Sequence, residues 1–356
     1  MTLIPTFDGH NDTLVEFCDP ADGEGRSFFE RSESGHLDLP RAREGRLIGG
    51  IFAIFTPPAS GSPERDREYG LTVTEDGYEL KARSAVEPEY SRQFVDRVLD
   101  FAYDLERQAK GEIAPVRGYQ DLERNLGEGV FSMVLHLEGV SAIQEDLGNL
   151  EEYYGKGIRS IGVVWSRPNV FGYGVPFRFP HSPDTGPGLT RAGQELVKGC
   201  NRLGIVIDLA HINEKGFWGV AELSDAPLVV SHSGVHAICA STRNLTDKQL
   251  DAVGESKGLM GIMFAPGMTR EDGDRDGDVP ISGIVRHIDY VAERIGIDHV
   301  ALGSDFDGAQ MPTELSDVTH LPRLIQALRD SGYDDASLEK ITYGNWFRVL
   351  RETWKG

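Results

Sequence analysis

His10 and Asp12 stand two residues apart in FDGHNDTL, residues 7–14, directly after the apolar run Leu3-Ile4-Pro5-Thr6-Phe7. On a strand, positions i and i+2 share a face. An imidazole and a carboxylate at the end of a buried strand can hold a divalent metal, or can simply hydrogen-bond to each other. The triplet decides nothing alone, but further apolar runs finish on residues of the same chemical kind. FSMVLHLEG ends at Glu138, IVIDLAH at His211, LVVSH at His232, and VALGSDFDG at Asp305 with Asp307 just beyond.

Each of these residues has an ordinary structural role open to it. His211 and His232 suit hydrogen-bonded core positions, Glu138 suits an ion pair with an arginine, and Asp305 suits a helix cap. Their repeated placement at strand ends favours a common site. Three imidazoles and two carboxylates without a thiolate suit zinc or a similar divalent ion. Five ligands exceed the needs of one tetrahedral ion with an open position, and suit two ions sharing a carboxylate bridge. Glu138 is the bridging candidate, since its strand lies between the others. His10 and Asp12 then hold one ion and His211 and His232 the other. Asp305 is left to take a proton from a bridging water and return it to a leaving amine. Arg243, eleven residues after His232, can clamp a substrate carboxylate at the mouth or be an ordinary surface arginine.

The elements that must position these groups follow from periodicity. Candidate strands at 3–7, 48–56, 131–137, 158–165, 205–209, 227–231, 259–264 and 299–303 are near-continuous apolar runs, as parallel strands covered on both faces require. Between them, 91–111, 189–204, 246–258 and 281–296 show helical periodicity, with Thr190 and Thr246 as N-cap candidates. Alternating strands and helices predict a (β/α)8 TIM barrel of the metal-dependent hydrolase type, whose chemistry sits at the C-terminal ends of the strands. A doubly wound sheet is the alternative, but no GxGxxG follows the first strand. The expected organisation is one barrel domain over 1–356, with the polar, Pro- and Gly-marked segment 57–90 overhanging the mouth as a lid. The acidic stretch at 266–280 lacks the full ligand pattern of a calcium loop and reads as solvated. His36, His136, His181, His236, His287, His299 and His320 are expected to be structural or at the surface. Asp8, Asp208 and Asp307 are expected to orient loops or supporting groups.

Bulk properties narrow the partners. A formal net charge of −21 over 356 residues opposes binding to nucleic acid or docking on an anionic membrane surface. Cys18, Cys200 and Cys239 are too few and too scattered for a disulfide framework. No signal peptide, membrane span or lipid-anchor signal is legible, so a cytoplasmic location is the expectation.

DGHND at 8–12, LEG at 137–139, DLAH at 208–211, SHSG at 231–234, STRNLTD at 241–247, HIDYVAERIGIDHVALGSDFDG at 287–308 and YGNWFRVL at 343–350 together resemble the renal or membrane dipeptidase family. This is the Glu-bridged dizinc branch of the amidohydrolase superfamily, and the chain is similar to its soluble, bacterial-type members over essentially its whole length. The resemblance implies two Zn2+ ions on His10, Asp12, Glu138, His211 and His232. It implies Asp305 as the proton-handling aspartate and Arg243 as the arginine for the substrate carboxylate. The implied substrates are small L-Xaa-L-Xaa and L-Xaa-D-Xaa dipeptides, hydrolysed by a metal-bridging hydroxide, and a homodimer is compatible with it. One position departs from the pattern. Many members carry a His after the fourth strand that contacts the scissile carbonyl, and Trp165 stands there in SIGVVWSRPNVFGYG. An indole donates one hydrogen bond and cannot become a cation. Either Arg167 or Asn169 takes over, or the substrate has shifted to another small amide or a lactone. A non-catalytic metal-binding homologue is the reading from outside the enzymes.

Overall fold

The apolar runs form a closed ring of parallel strands in a computed structural model that describes residues 4–19 and 25–355. Among the described residues the strands are β1 (Thr6–Asn11), β2 (Leu47–Phe55), β3 (Phe131–Glu138), β4 (Ile158–Gly162), β5 (Val206–Asp208), β6 (Val229–Ser233), β7 (Leu259–Ile262) and β8 (Val300–Leu302). They lie side by side in chain order, and every pairing is parallel. Closure comes just beyond β8, where the Asp305 amide donates to His10 O at 3.0 Å and the Asp12 amide donates to Phe306 O at 2.9 Å. The seam of the ring is therefore made by the backbones of candidate site residues. A short strand, Ile113–Pro115, pairs with the start of β3. All eight expected strands are present, with ends moved by a few residues, and Leu3 lies outside the described residues. The molecule is thus a (β/α)8 barrel.

Helices between the strands pack their apolar stripes on the ring. In Pro88–Ala109 the buried positions include Phe94, Val95, Val98, Leu99, Ala102 and Leu105, the spacing of one helical face. Thr190 caps Arg191–Leu203 by accepting from the Gly193 amide, and Thr246 forms a capping box with Gln249 at Asp247–Glu255.

The N-terminal end of the barrel is closed by the last helix, Asn345–Thr353. Its Trp346 is fully buried among Phe7, Ile51, Val134, Val206, Val229, Leu259 and Ala301, which come from seven of the eight strands. The indole Nε1 donates to Leu302 O at 2.9 Å. Gly9 faces this plug, and a Cβ there would stand 2.2 Å from the Trp346 ring and 2.7 Å from Leu302 O.

Residues 57–90 form a hairpin, Leu71–Val73 with Tyr78–Leu80, joined by a third strand, Arg178–Phe179, from the loop after β4. Ion pairs from Arg67 to Asp276 and from Arg275 to Glu68 tie the segment to the loop after β7. The acidic loop itself is exposed, with Asp272 paired to Arg270. His287, on the helix Ile281–Ile295, accepts from the Val235 amide through Nδ1 at 2.9 Å, and its Nε2 lies 3.0 Å from Thr269 O. It is a buried structural histidine that fastens the loops after β6 and β7.

Two tests follow from this packing. Gly9→Ala forces the Trp346 plug aside, and overpacking of this kind costs about 1–3 kcal/mol, readable as a lower midpoint in chemical denaturation. Burial holds the His287 pKa down at about 4 against an ordinary value of 6.5. Between those values the unfolded chain takes up a proton that the folded protein refuses. The stabilising contribution is complete above pH 6.5 and falls away as the pH drops towards 4, by roughly 3 kcal/mol in all. His287→Gln, which keeps a donor and an acceptor, is expected to flatten the stability profile across that window. An unchanged slope would show that His287 does not generate it.

Candidate metal centre at the barrel mouth

The five expected ligands reach the mouth from four strands: His10 and Asp12 from the end of β1, Glu138 from β3, His211 from just after β5 and His232 from β6. His10 is fully buried in β1, with Nε2 3.5 Å from Glu138 Oε1, 3.8 Å from Asp12 Oδ2 and 4.0 Å from Asp305 Oδ1. Glu138 closes β3, and its Oε1 lies 2.9 Å from His211 Nε2 and 3.7 Å from His232 Nε2. The two Nε2 atoms are 3.1 Å apart. Three sets of ligand atoms converge closely enough to share an ion: Glu138 with His211 and His232, His10 with Asp12 and Asp305, and His10 with His232 and Asp208. Asp208 is already committed, accepting from the amides of Ser231 and Ala210 and from Ser231 Oγ.

The backbone shapes this convergence. Gly139, directly after Glu138, has φ +82° and brings Trp165 N within 2.9 Å of where a Cβ would stand. A side chain there would meet the loop after β4 in a conformation that suits glycine. Asp305 and Asp307 are non-glycine residues at φ 64°. The Asp307 carboxylate stabilises that turn by accepting from Thr13 Oγ1 at 2.7 Å, Arg26 Nη2 at 3.2 Å and the His36 amide at 2.5 Å. Asp8 bridges β1 to the residues after β8 by accepting from the amide and hydroxyl of Ser304.

The electrostatics are those of a cation site. Burial, reinforced by Asp12, raises the Glu138 pKa well above the carboxylate range. Burial likewise lifts Asp305 to about 6, against the pull of His10. Burial alone would lower His10, but Glu138, Asp12 and Asp305 outweigh it and raise its pKa to about 10. His211 and His232 fall well below 6.5, first by burial and then by the positive charge of Arg243 and His10. Their Nδ1 atoms pair with Ser166 Oγ and Ser231 Oγ, each at 2.8 Å, which turns both Nε2 atoms towards Glu138. Among the described residues, His10 Nε2 and Asp12 Oδ1 are buried without a hydrogen-bond partner. Convergent nitrogen and carboxylate ligands with unpartnered atoms among them fit a divalent metal.

Arg243 lies at the centre and is buried, where an ordinary surface arginine was the other reading. Its Nη1 donates to Ala210 O, and its Nη2 lies 3.3 Å from both His232 O and His211 Nε2. Trp165 follows β4 and packs its indole against Phe55, Phe177 and the His211 ring, with centroids 4.7, 5.7 and 5.6 Å away. Sequence reasoning passed over Ser166 and Ser231, although Ser231 precedes His232 in SHSG. It also left His136 among the structural histidines without the contact it makes, edge-on to the His10 ring at 5.7 Å.

A family model described as membrane dipeptidase (peptidase family M19) matches residues 1–355. A metallo peptidase of Rhodobacter sphaeroides, solved with a phosphinate mimic of the dipeptide L-Ala-D-Ala, superposes with a TM-score of 0.93 at 44% identity, covering 99% of this chain and all of that one. A protein of the pqqA 5' region of Klebsiella pneumoniae is 50% identical over 235 residues, 66% of this chain and 87% of the relative. Dipeptidase tcpJ of Claviceps purpurea is 27% identical over 351 residues, 97% of this chain and 76% of the relative. Among the described residues no helix is long and apolar enough to cross a membrane. Fold, ligand geometry and family model agree: the chain belongs to the membrane dipeptidase family, peptidase family M19, a family of metallo-dipeptidases.

Proposed function

We propose that the chain binds two zinc ions and hydrolyses L-Xaa-L-Xaa and L-Xaa-D-Xaa dipeptides. The observation that carries this reading is the convergence of His10, Asp12, Glu138, His211 and His232 at one end of the barrel. His10 and Asp12 hold one ion, His211 and His232 the other, and Glu138 reaches both sets. Ions held there supply Lewis acidity and lower the pKa of water.

The protein's own groups do the rest. Asp305, whose Oδ1 lies 4.0 Å from His10 Nε2 at the edge of the ligand set, stands ready to accept a proton from attacking water and return one to the leaving amine. Arg243, fixed by Ala210 O and His232 O, receives the substrate's carboxylate through its remaining N–H groups. Segment 57–90 covers the mouth of a single barrel domain and limits its room to small substrates. The phosphinate mimic of L-Ala-D-Ala held by the Rhodobacter sphaeroides neighbour supports a D-residue at the second position.

Two substitutions test the assignment in protein loaded with zinc and assayed against a dipeptide panel. Asp305→Asn is expected to lower kcat by about 10²- to 10⁴-fold while two zinc ions remain by elemental analysis. Loss of zinc would make Asp305 a ligand instead. Arg243→Lys keeps the charge but loses the fork, and kcat/KM is expected to fall about 10- to 100-fold. An unchanged kcat/KM would exclude a carboxylate grip at this position.

A further inference from the structure

We propose that Arg167 is a catalytic residue of this dipeptidase, donating from Nη1 to the carbonyl oxygen of the scissile bond as negative charge develops there. The assignment rests on the dipeptidase reading above and names the group that meets the oxygen.

Arg167 follows β4 and is only 4% exposed. Its Nη2 donates to Thr56 O, one residue beyond β2. Since β3 lies between β2 and β4 in the ring, the guanidinium spans the end of β3, where Glu138 sits. Glu138 and His211 both feel its charge. The rings of Phe55 and Trp165, with centroids 5.0 and 5.5 Å from Cζ, hold the group in place. Yet Nη1 is buried and has no hydrogen-bond partner among the described residues. An unpaired buried N–H is costly, and a guanidinium N–H more so, which leaves a donor prepared for an acceptor that arrives with the substrate.

The neighbouring groups are less available. Asn169 donates to Val163 O at 2.7 Å and accepts from the amides of Phe171 and Gly172, so its side chain is spent on its own loop. Trp165 packs its ring against His211. Arg243 is held on the far side of Glu138 from β2, by Ala210 just after β5 and His232 in β6. A fixed cationic donor beside the centre stabilises an oxyanion without reorganising when the charge appears.

The experiment compares the unmodified protein, Arg167→Met and Arg167→Lys, each loaded with zinc. It measures L-Ala-D-Ala hydrolysis, calorimetric binding of the phosphinate mimic of that dipeptide, metal content and unfolding midpoint. For Arg167→Met, kcat is expected to fall about 100- to 1,000-fold with KM within about threefold, the mark of a contact made in the transition state. Phosphinate affinity is expected to fall by a comparable factor, because its tetrahedral oxygens occupy the same place. Arg167→Lys is expected to recover part of both losses, and it decides by the same split if the methionine variant does not fold. A kcat within a few-fold of the unmodified value overturns the assignment, as does a raised KM with kcat unchanged, which would make Arg167 a ground-state grip. Absence of any dipeptide turnover by the unmodified, zinc-loaded protein overturns the dipeptidase reading itself.

Discussion

Asp12, Glu138 and Asp305 bring three carboxyl groups into a buried pocket with His10, His211 and His232. Taking an ionised carboxylate out of water costs several kcal/mol unless an opposite charge and hydrogen bonds compensate it. The protein's own groups compensate only in part, as the raised Glu138 and Asp305 pKa values and the strong hold on the His10 proton indicate. Much of the surrounding structure serves to keep this unfavourable assembly together. The seam from β1 to the residues after β8 runs through His10, Asp12 and Asp305 themselves. Ser166 and Ser231 aim the histidines, and Asp307 fixes the left-handed turn that carries Asp305. The Trp346 plug closes the opposite end, so the ring cannot relax by spreading there.

The stability for this arrangement comes from elsewhere in the fold. Parallel strands buried on both faces exclude water from the inner ring, while the helices cover its outer face with apolar stripes. Polar groups then accumulate at one end, where every strand stops and the backbone turns away. Position along a strand therefore separates two kinds of inward-facing residue. Those nearer the start, such as Phe7, Val134 and Val229, pack against Trp346, and those at the finish meet the substrate side.

This division explains what was legible in the sequence. His10, Glu138, His211, His232 and Asp305 could be singled out because each ends an apolar run, and such runs locate strand ends without knowledge of tertiary structure. The eight strands were readable for the same reason, although their limits moved. Val206–Asp208 and Val300–Leu302 are shorter than their apolar runs, since a residue can be buried without sharing the ladder. The third strand that Arg178–Phe179 adds to the hairpin of 71–80 was not legible, because two residues carry no period. Ser166 escaped because its importance lies in one hydrogen bond to a histidine 45 positions away. Arg243 could be placed near the mouth, but nothing local told a buried guanidinium from an exposed one.

With the role proposed for Arg167, a missing residue type beside Trp165 need not mean a missing function. The loop after β4 starts beside Gly139, whose open side lets the two chains approach, and then turns sharply, with the Arg167 amide donating to Trp165 O at 2.6 Å. Two positions on, the chain has reversed enough for a long side chain to return across Glu138 to Thr56. An indole at the strand end and a guanidinium two residues later thus divide work that one imidazole could do: the first supplies a flat apolar wall against His211, the second a charge and a donor. The requirement is set by the place where charge develops, and a barrel mouth offers several backbone positions from which a side chain can reach it.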